Sequence, residues 1–325
     1  MSLNYEIYME NDHKKMSYIN TDNSIGDEID LYELSSILWQ GKWLIIVVTF
    51  LFAVASVIFA MSKPNLYKSE ALLFPAEEQN SSGIGALAGQ FGGLASLAGM
   101  DIGGGQGSKA KLALEVLKSR QFISQFIEEH KILPQLMAGE SWNVDSNTVN
   151  FNNEAYNEVS NEWVRDISPP FKPKPSLQEA YKEFVKILSV STDKDTGMVT
   201  LSVEFISPTL AQEWALWLIE DLNNVMKTMD VSEATKSTEF LMKQLKTTQI
   251  ADIRTVLYTL IEEQAKTIMF ANVRDEYVFK TIDPPLIPEE KSGPKRALIC
   301  LIGVFLGGFL SVLIVTIRHF IKKVR

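Results

Sequence analysis

The stretch Ile282–Gly308, IDPPLIPEEKSGPKRALICLIGVFLGG, sets four of the chain's twelve prolines and a Lys-Arg pair ahead of an apolar run with glycines four residues apart. From Ala297 to Ile317 there are 21 residues without a charge or a proline. At about 1.5 Å per residue such a helix reaches roughly 30 Å, the thickness of a bilayer's hydrocarbon core. The spacing predicts a transmembrane helix over 297–317. Gly303 and Gly307 give it a GxxxG face on which a second helix can approach closely, although glycine is frequent in spans in general.

Working outward, a second run, WLIIVVTFLFAVASVIFAM (Trp43–Met61), gives 19 uncharged residues, with Lys42 and Lys63 just outside its ends and Trp39 and Trp43 at interface depth. The 42 residues before it carry eight acidic side chains against three lysines, so it reads as a retained anchor rather than a cleaved signal peptide. The resulting plan is a tail over 1–42, a span over 43–61, a folded region over 62–296, a span over 297–317 and a tail over 318–325. The 235 residues between the spans are enough for one or two domains. Two spans put both tails on one side. Lys and Arg near the span ends count five on each side, so the orientation rests on the dense cluster IRHFIKKVR, which predicts that the tails lie inside. The one cysteine, Cys300, falls within the second span, so the folded region must hold together by packing. A net charge of −9 argues against a nucleic-acid partner.

Within the folded region, LYKSEALLFP (Leu66–Pro75) reads as a strand. Ser81–Gly107 holds ten of the eighteen glycines, interspersed with Leu87, Phe91, Leu94, Leu97 and Met100, and reads as a loop with apolar contacts rather than a plain linker. Its Gly-Ser-Lys order is not that of a phosphate-binding loop. Ser108–Leu133 reads as one amphipathic helix. An Asn-rich stretch, 143–161, and the stiff SPPFKPKP (Ser168–Pro175) follow. Val185–Pro208 alternates on both sides of DKDTG and predicts a hairpin. With the strands at Leu66 and at Glu276–Pro285, it predicts a small sheet.

Residues 209–283, 75 in all, contain neither Gly nor Pro. Apolar residues recur at helical spacing behind Pro208, which predicts one helix over about 208–270, roughly 90 Å long, that must project. The alternative is two shorter helices meeting near Lys246–Gln249, where LKTTQ holds poor helix formers. The polar middle, around Leu241 and Leu245, has little core of its own and is expected to pair with copies of the chain. The three histidines, His13, His130 and His319, are scattered, and Glu128/Glu129 and Glu262/Glu263 sit in helical sequence as solvated faces, so no metal, cofactor or catalytic site is expected.

EIDLYELSSILWQGKWLII, STDKDTGMVTLSVEFISPTLAQEWA and YVFKTIDPPLIPEEKSGPKRALI together resemble the chain-length determinant proteins, the Wzz-type polysaccharide co-polymerases of bacterial inner membranes. The resemblance covers most of the chain, but the Gly-rich insert is similar to some members only. It implies an α+β membrane protein in which two transmembrane helices flank a periplasmic α/β base domain with a long projecting helix. It also implies a homo-oligomeric ring that works with a Wzy-type polymerase, and with the growing lipid-linked polysaccharide, to set the length of O-antigen or a similar polymer. The same two-span plan would suit an adaptor of a polysaccharide export machine or a periplasmic sensor.

On that frame, Pro284, Pro285, Pro288 and Pro294 hold the chain extended ahead of the second span. Lys295 and Arg296 are expected to anchor the interface by reaching headgroups. Gly303 and Gly307 are expected to contact either the chain's own first span or a polymerase helix.

Overall fold

The computed structural model describes residues 37–76 and 105–324. The loop expected over Ser81–Gly107 lies outside these residues as far as 104, and residues 105–107 open a helix. The chain forms two compact units, one of residues 58–299 and one of residues 1–57 with 300–325.

In the larger unit, β1 (Tyr67–Pro75) is a central strand. β7 (Val199–Phe205) and β8 (Phe279–Asp283) pair with it antiparallel, and β6 (Leu188–Thr192) pairs with β7, giving the order β6-β7-β1-β8. The alternation in β1 explains its placement: Ser69, Ala71 and Leu73 are buried, while Lys68 and Glu70 face out and pair with each other. The hairpin β6–β7 turns at DKDTG as its pattern predicts. Asp193 accepts from the backbone N–H groups of Asp195 and Thr196, and Gly197 takes the left-handed φ of +70°.

Helices cover this sheet. The expected single helix over 108–133 is broken into α2 (Gly105–Lys118) and α3 (Arg120–Glu129), followed by α4 (Leu133–Ala138). The break is at Ser119, whose extended backbone lets its side chain accept from Phe122 N, so the serine caps a new helix instead of continuing the old one. The stretch expected to begin a strand at Val185 instead ends α5 (Leu177–Ile187). A reciprocal capping box between Ser176 and Glu179 starts that helix, and Ala180 and Phe184 bury its face. The Asn-rich stretch is ordered as two small hairpins, β2–β3 (Gly139–Asn143, Thr148–Phe151) and β4–β5 (Tyr156–Asn157, Glu162–Trp163). Asn143 accepts from the N–H groups of Asp145 and Ser146, and Asn157 from those of Val159 and Ser160, so the asparagines make the turns. The core joins Phe126, Phe184, Phe205 and Trp214, whose neighbouring rings lie 4.5–6.1 Å apart.

The helix expected over 208–270 is two helices, and the alternative break is the one observed. α6 runs over Pro208–Thr247, 40 residues, and α7 over Ala251–Val273, 23 residues. Thr247 turns its hydroxyl onto Gln244 O, and Thr248 is already extended at φ −89°, ψ 124°. These β-branched residues end the helix where no core rewards continuing it. From Asn223 to Thr247 the helix advances roughly 36 Å, and the 23 residues of α7 span roughly 35 Å. The packed pair therefore brings the chain back to Asn223, whose Oδ1 accepts from Val278 N and Phe279 N at 2.8 and 3.0 Å as β8 begins. The long element is a helical hairpin rooted in the sheet.

The smaller unit holds most of α1 (Lys42–Ser62) and α8 (Arg296–Val324), which are both long and apolar enough to cross a membrane and have most of their large apolar side chains exposed. The span expectations, 43–61 and 297–317, fall inside these helices.

Candidate functional site

Three places carry the sequence-derived candidates. The first is the face between the apolar helices. A Cβ placed on Gly303 would strike Ser56, and one on Gly307 would lie 2.6 Å from Phe52 Cβ and 3.2 Å from Thr49 Cα. At the far end, Gly41 meets Val315 in the same way, 2.5 Å from Cγ1. The contacts 41 with 315, 49 and 52 with 307, and 56 with 303 run in opposite order along the two helices, so the spans pack antiparallel with a glycine on one side of each contact. In the structure the residues that approach the GxxxG face belong to the chain's own first span. The opposite face, Leu301, Phe305 and Phe309, is exposed.

The second is the proline segment. Pro284, Pro285, Pro288 and Pro294 lie outside any helix or strand, and the segment is tied to the folded region by residues that the sequence did not mark. Ser69 donates to Leu286 O at 2.7 Å, and Gln212 donates to Pro285 O at 3.3 Å. Ser292 donates its hydroxyl to Glu204 at 2.6 Å and its backbone N–H to Leu66 O at 2.8 Å. Arg296 is directed inward, donating to Asn65 Oδ1 at 3.1 Å and Lys63 O at 3.4 Å, so it clips together the two points where the apolar helices meet the folded region's chain. Lys295 is exposed.

The third is the helical hairpin. Leu241 and Leu245 are half-buried on the face that also carries Ala234 and Thr238, the least exposed face of the outer part of α6 and hence the one turned to α7. They act inside the hairpin. The exposed stripe lies beside them, where Met229 and Phe240 edge a groove with Ser232, Glu233 and Lys236. At the root of the hairpin, Tyr277 donates to Asp230 at 2.6 Å while Lys109 donates to Tyr277 at 3.1 Å and pairs with Asp230 at 2.5 Å. Burial pushes the Tyr277 hydroxyl above its ordinary value, and the Asp230 carboxylate that accepts from it pushes the same way. Ala76 N donates to Val278 O at 2.9 Å, so the last described residue after β1 and the start of α2 are both tied beside Tyr277. A further, half-buried pair, His130 with Asp221 at 2.8 Å, lies beside the Trp217 ring, stacked 4.4 Å from His130. Burial raises the Asp221 carboxyl. None of these clusters brings three potential metal ligands together among the described residues.

Residues 27–130 match the family model described as "Wzz: Chain length determinant protein". No curated protein matches the chain. Among solved structures, the chain is similar to a full-length bacterial polysaccharide co-polymerase at 14% identity, over 91% of this chain and 99% of that one, with a TM-score of 0.36. It is similar to a fragment of WzzB, a polysaccharide co-polymerase from Salmonella Typhimurium, at 14% identity, over 70% and 100%, with a TM-score of 0.26. A Shigella flexneri lipopolysaccharide O-antigen chain-length regulator, in mutant form, gives 11% identity over 70% and 100% and a TM-score of 0.20. At these scores the three structural likenesses add no argument of their own. Over residues 27–130, through the first apolar helix, β1 and α3, the chain is similar to the chain length determinant family, the family that its sequence motifs also resemble.

Proposed function

We propose that this chain is a non-catalytic regulator of the length of a surface polysaccharide in a bacterial inner membrane. In this reading, residues 62–296 are periplasmic, the tails 1–42 and 318–325 are cytoplasmic, and a homo-oligomer acts with a Wzy-type polymerase and its lipid-linked product. The observation that carries it is the family match over 27–130 on a chain whose two ends form helices apolar enough to span. The geometry refines the contacts. With the Gly303/Gly307 face filled by the first span, the exposed ridge Leu301, Phe305 and Phe309 on the other side of the helix is a surface open to a polymerase helix. With Leu241 and Leu245 turned inward, copies of the chain meet through the Met229–Phe240 stripe.

Deleting the gene and resolving the surface polysaccharide on a gel tests this. The expected result is loss of the modal length and its return on complementation. An unchanged ladder in the deletion strain would overturn the reading. A reporter active only in the periplasm, fused after Arg325, should be silent.

A further inference from the structure

One cleft belongs to none of these contacts. It lies in the larger unit between the turn that joins α3 to α4, the β4–β5 hairpin and the start of α5, and it encloses about 610 Å³, within the usual range for small-ligand sites. We propose that it binds a sugar unit carrying an acidic group. That the natural ligand is the cell's own polysaccharide rests on the function proposed above, whereas the chemistry of the cleft does not.

One wall is aromatic and supported from behind. Trp163 lines the cleft half-buried, its ring 5.0 Å from that of Tyr156, which is 6% exposed and backed in turn by Phe151 at 5.4 Å. The Arg165 guanidinium lies over the Trp163 ring, 5.8 Å from its centroid, and the part of the ring that lines the cleft offers π density suited to the electropositive C–H groups of a sugar. Around it stand groups suited to hydroxyls. Tyr156 donates to Asn161 Oδ1 at 3.0 Å, which leaves the Asn161 amide NH2 as the donor of that side chain. Lys131 and Lys174 line the cleft against a single carboxylate, Glu128. Among the described residues neither lysine forms an ion pair. Two ammonium groups against one carboxylate favour a sugar that brings its own negative charge.

The backbone adds a second line of support. Among the described residues, Lys131 and Asn161 are two of the three non-glycine positions with positive φ, at 52° and 55°, and both line this cleft. Lys131 occupies the left-handed position that closes α3. Its N–H donates to Glu128 O, and that of Ile132 donates to Ile127 O, the hydrogen-bond pair of a Schellman ending, where glycine fits with least strain. A lysine standing where glycine would be less strained points to a use for the side chain.

The test uses the full chain in detergent, with tetragalacturonate as the acidic probe, maltotetraose as its neutral counterpart and an octaglutamate peptide as a non-sugar anion. Saturation-transfer NMR and titration read the binding. Tetragalacturonate should bind at least tenfold more tightly than either comparison. Trp163→Ala should abolish the signal. The decisive variant is Lys131→Gly, which relieves the backbone: it should melt at the same or a higher temperature and yet bind at least tenfold more weakly. Absence of tetragalacturonate binding, equal binding of the peptide or of maltotetraose, or unchanged affinity in Lys131→Gly each overturns the proposal. If binding follows the expected pattern while gene deletion leaves polymer length unaltered, the cleft stands and the chain-length reading falls. If deletion alters length but nothing binds, the reverse holds.

Discussion

The two halves of α6 are one continuous helix in two different environments. From Pro208 to Met226 it buries Ala211, Trp214, Leu218, Leu222 and Met226 against the sheet and its covering helices. From Lys227 to Thr247 only Ala234 is buried, and Phe240 is 60% exposed. The first half is held by tertiary packing. The second is held by its own backbone and by α7, as helices without a core must be. The contrast separates the jobs: the inner half builds the fold, and the outer half is surface.

The largest predicted effect lies in the inner half. Trp214 is fully buried between Phe184 and Phe205, so Trp214→Ala should cost about 3–5 kcal/mol of stability. Phe240→Ala should cost no more than about 0.5 kcal/mol in the dissociated protein. Denaturant unfolding followed by circular dichroism measures both. A comparable cost at Phe240 in a verified monomer would break the contrast, while a cost that appears only in an oligomer would sharpen it by placing Phe240 at the contact between copies.

Next is the joint between the halves. Asn223 is 4% exposed and accepts from two backbone N–H groups of the chain entering β8. Asn223→Leu leaves both N–H groups buried without a partner, at about 1–3 kcal/mol each. Hydrogen exchange should show the amides of Val278 and Phe279 losing protection first, before the sheet amides of β7. Equal loss everywhere would mean that Asn223 supports the fold globally and does not root the hairpin.

The same contrast between a packed face and an open one recurs in the apolar helices. Gly303 touches Ser56, whereas Phe305 is 72% exposed. Even Gly303→Ala should weaken the pairing, by about 1 kcal/mol, because the backbone approach leaves no room for a methyl group, and Ser56→Gly should restore it. Cross-linking of Gly41→Cys with Val315→Cys, in a Cys300→Ser background, reports the pairing. Phe305→Ala should leave that cross-link intact. If Phe305→Ala alters polysaccharide length all the same, the partner contact is on the open ridge.

What could be read in advance follows the range of the interaction. The apolar helices and the four sheet strands were legible because solvent imposes their patterns directly: 21 uncharged residues for a span, and alternation in LYKSEALLFP. The end of α6 was legible only as an alternative, since LKTTQ lowers helix propensity but does not show that α7 turns back; the bond from Asn223 to residues 55 positions further on decides that. Hairpins in the Asn-rich stretch stayed hidden because their order comes from side chains closing turns, not from periodicity. The signal was present in the Asn-x-x spacing at 143 and 157. Gly303 and Gly307 announced a close contact without naming the partner, and Ser69, Gln212 and Ser292 announced nothing, because a lone polar residue fits a solvated surface equally well.

The smallest predicted effect is electrostatic, and it separates the covering helices from the hairpin once more. In α5, Glu179 accepts from Ser176 N at 2.9 Å and lies beside Arg165 at 3.3 Å. The Ser176 backbone N–H, with help from Arg165, holds its carboxyl below the ordinary 4.5. A carboxyl whose value is depressed by folding stabilises the fold once it is ionised in the unfolded chain as well. This contribution is therefore present above about pH 4.5 and is lost as pH falls through the lower, folded value. Glu179→Gln, which also weakens the capping box, should lower stability by about 1 kcal/mol at pH 7, and the difference from the unaltered chain should shrink as the medium is acidified below 4.5. On the hairpin, Glu262 also lies low, through its hydrogen bond to Lys266 at 2.8 Å one turn away. That pair stands in solvent, where the gain is offset by ordering two long side chains and is screened by salt, so Glu262→Gln should leave the melting temperature unchanged at 0.15 M salt. Melting curves between pH 3 and 7 for the two variants decide the matter. A pH-dependent loss in Glu262→Gln equal to that in Glu179→Gln would mean that the hairpin surface is covered in the assembled protein.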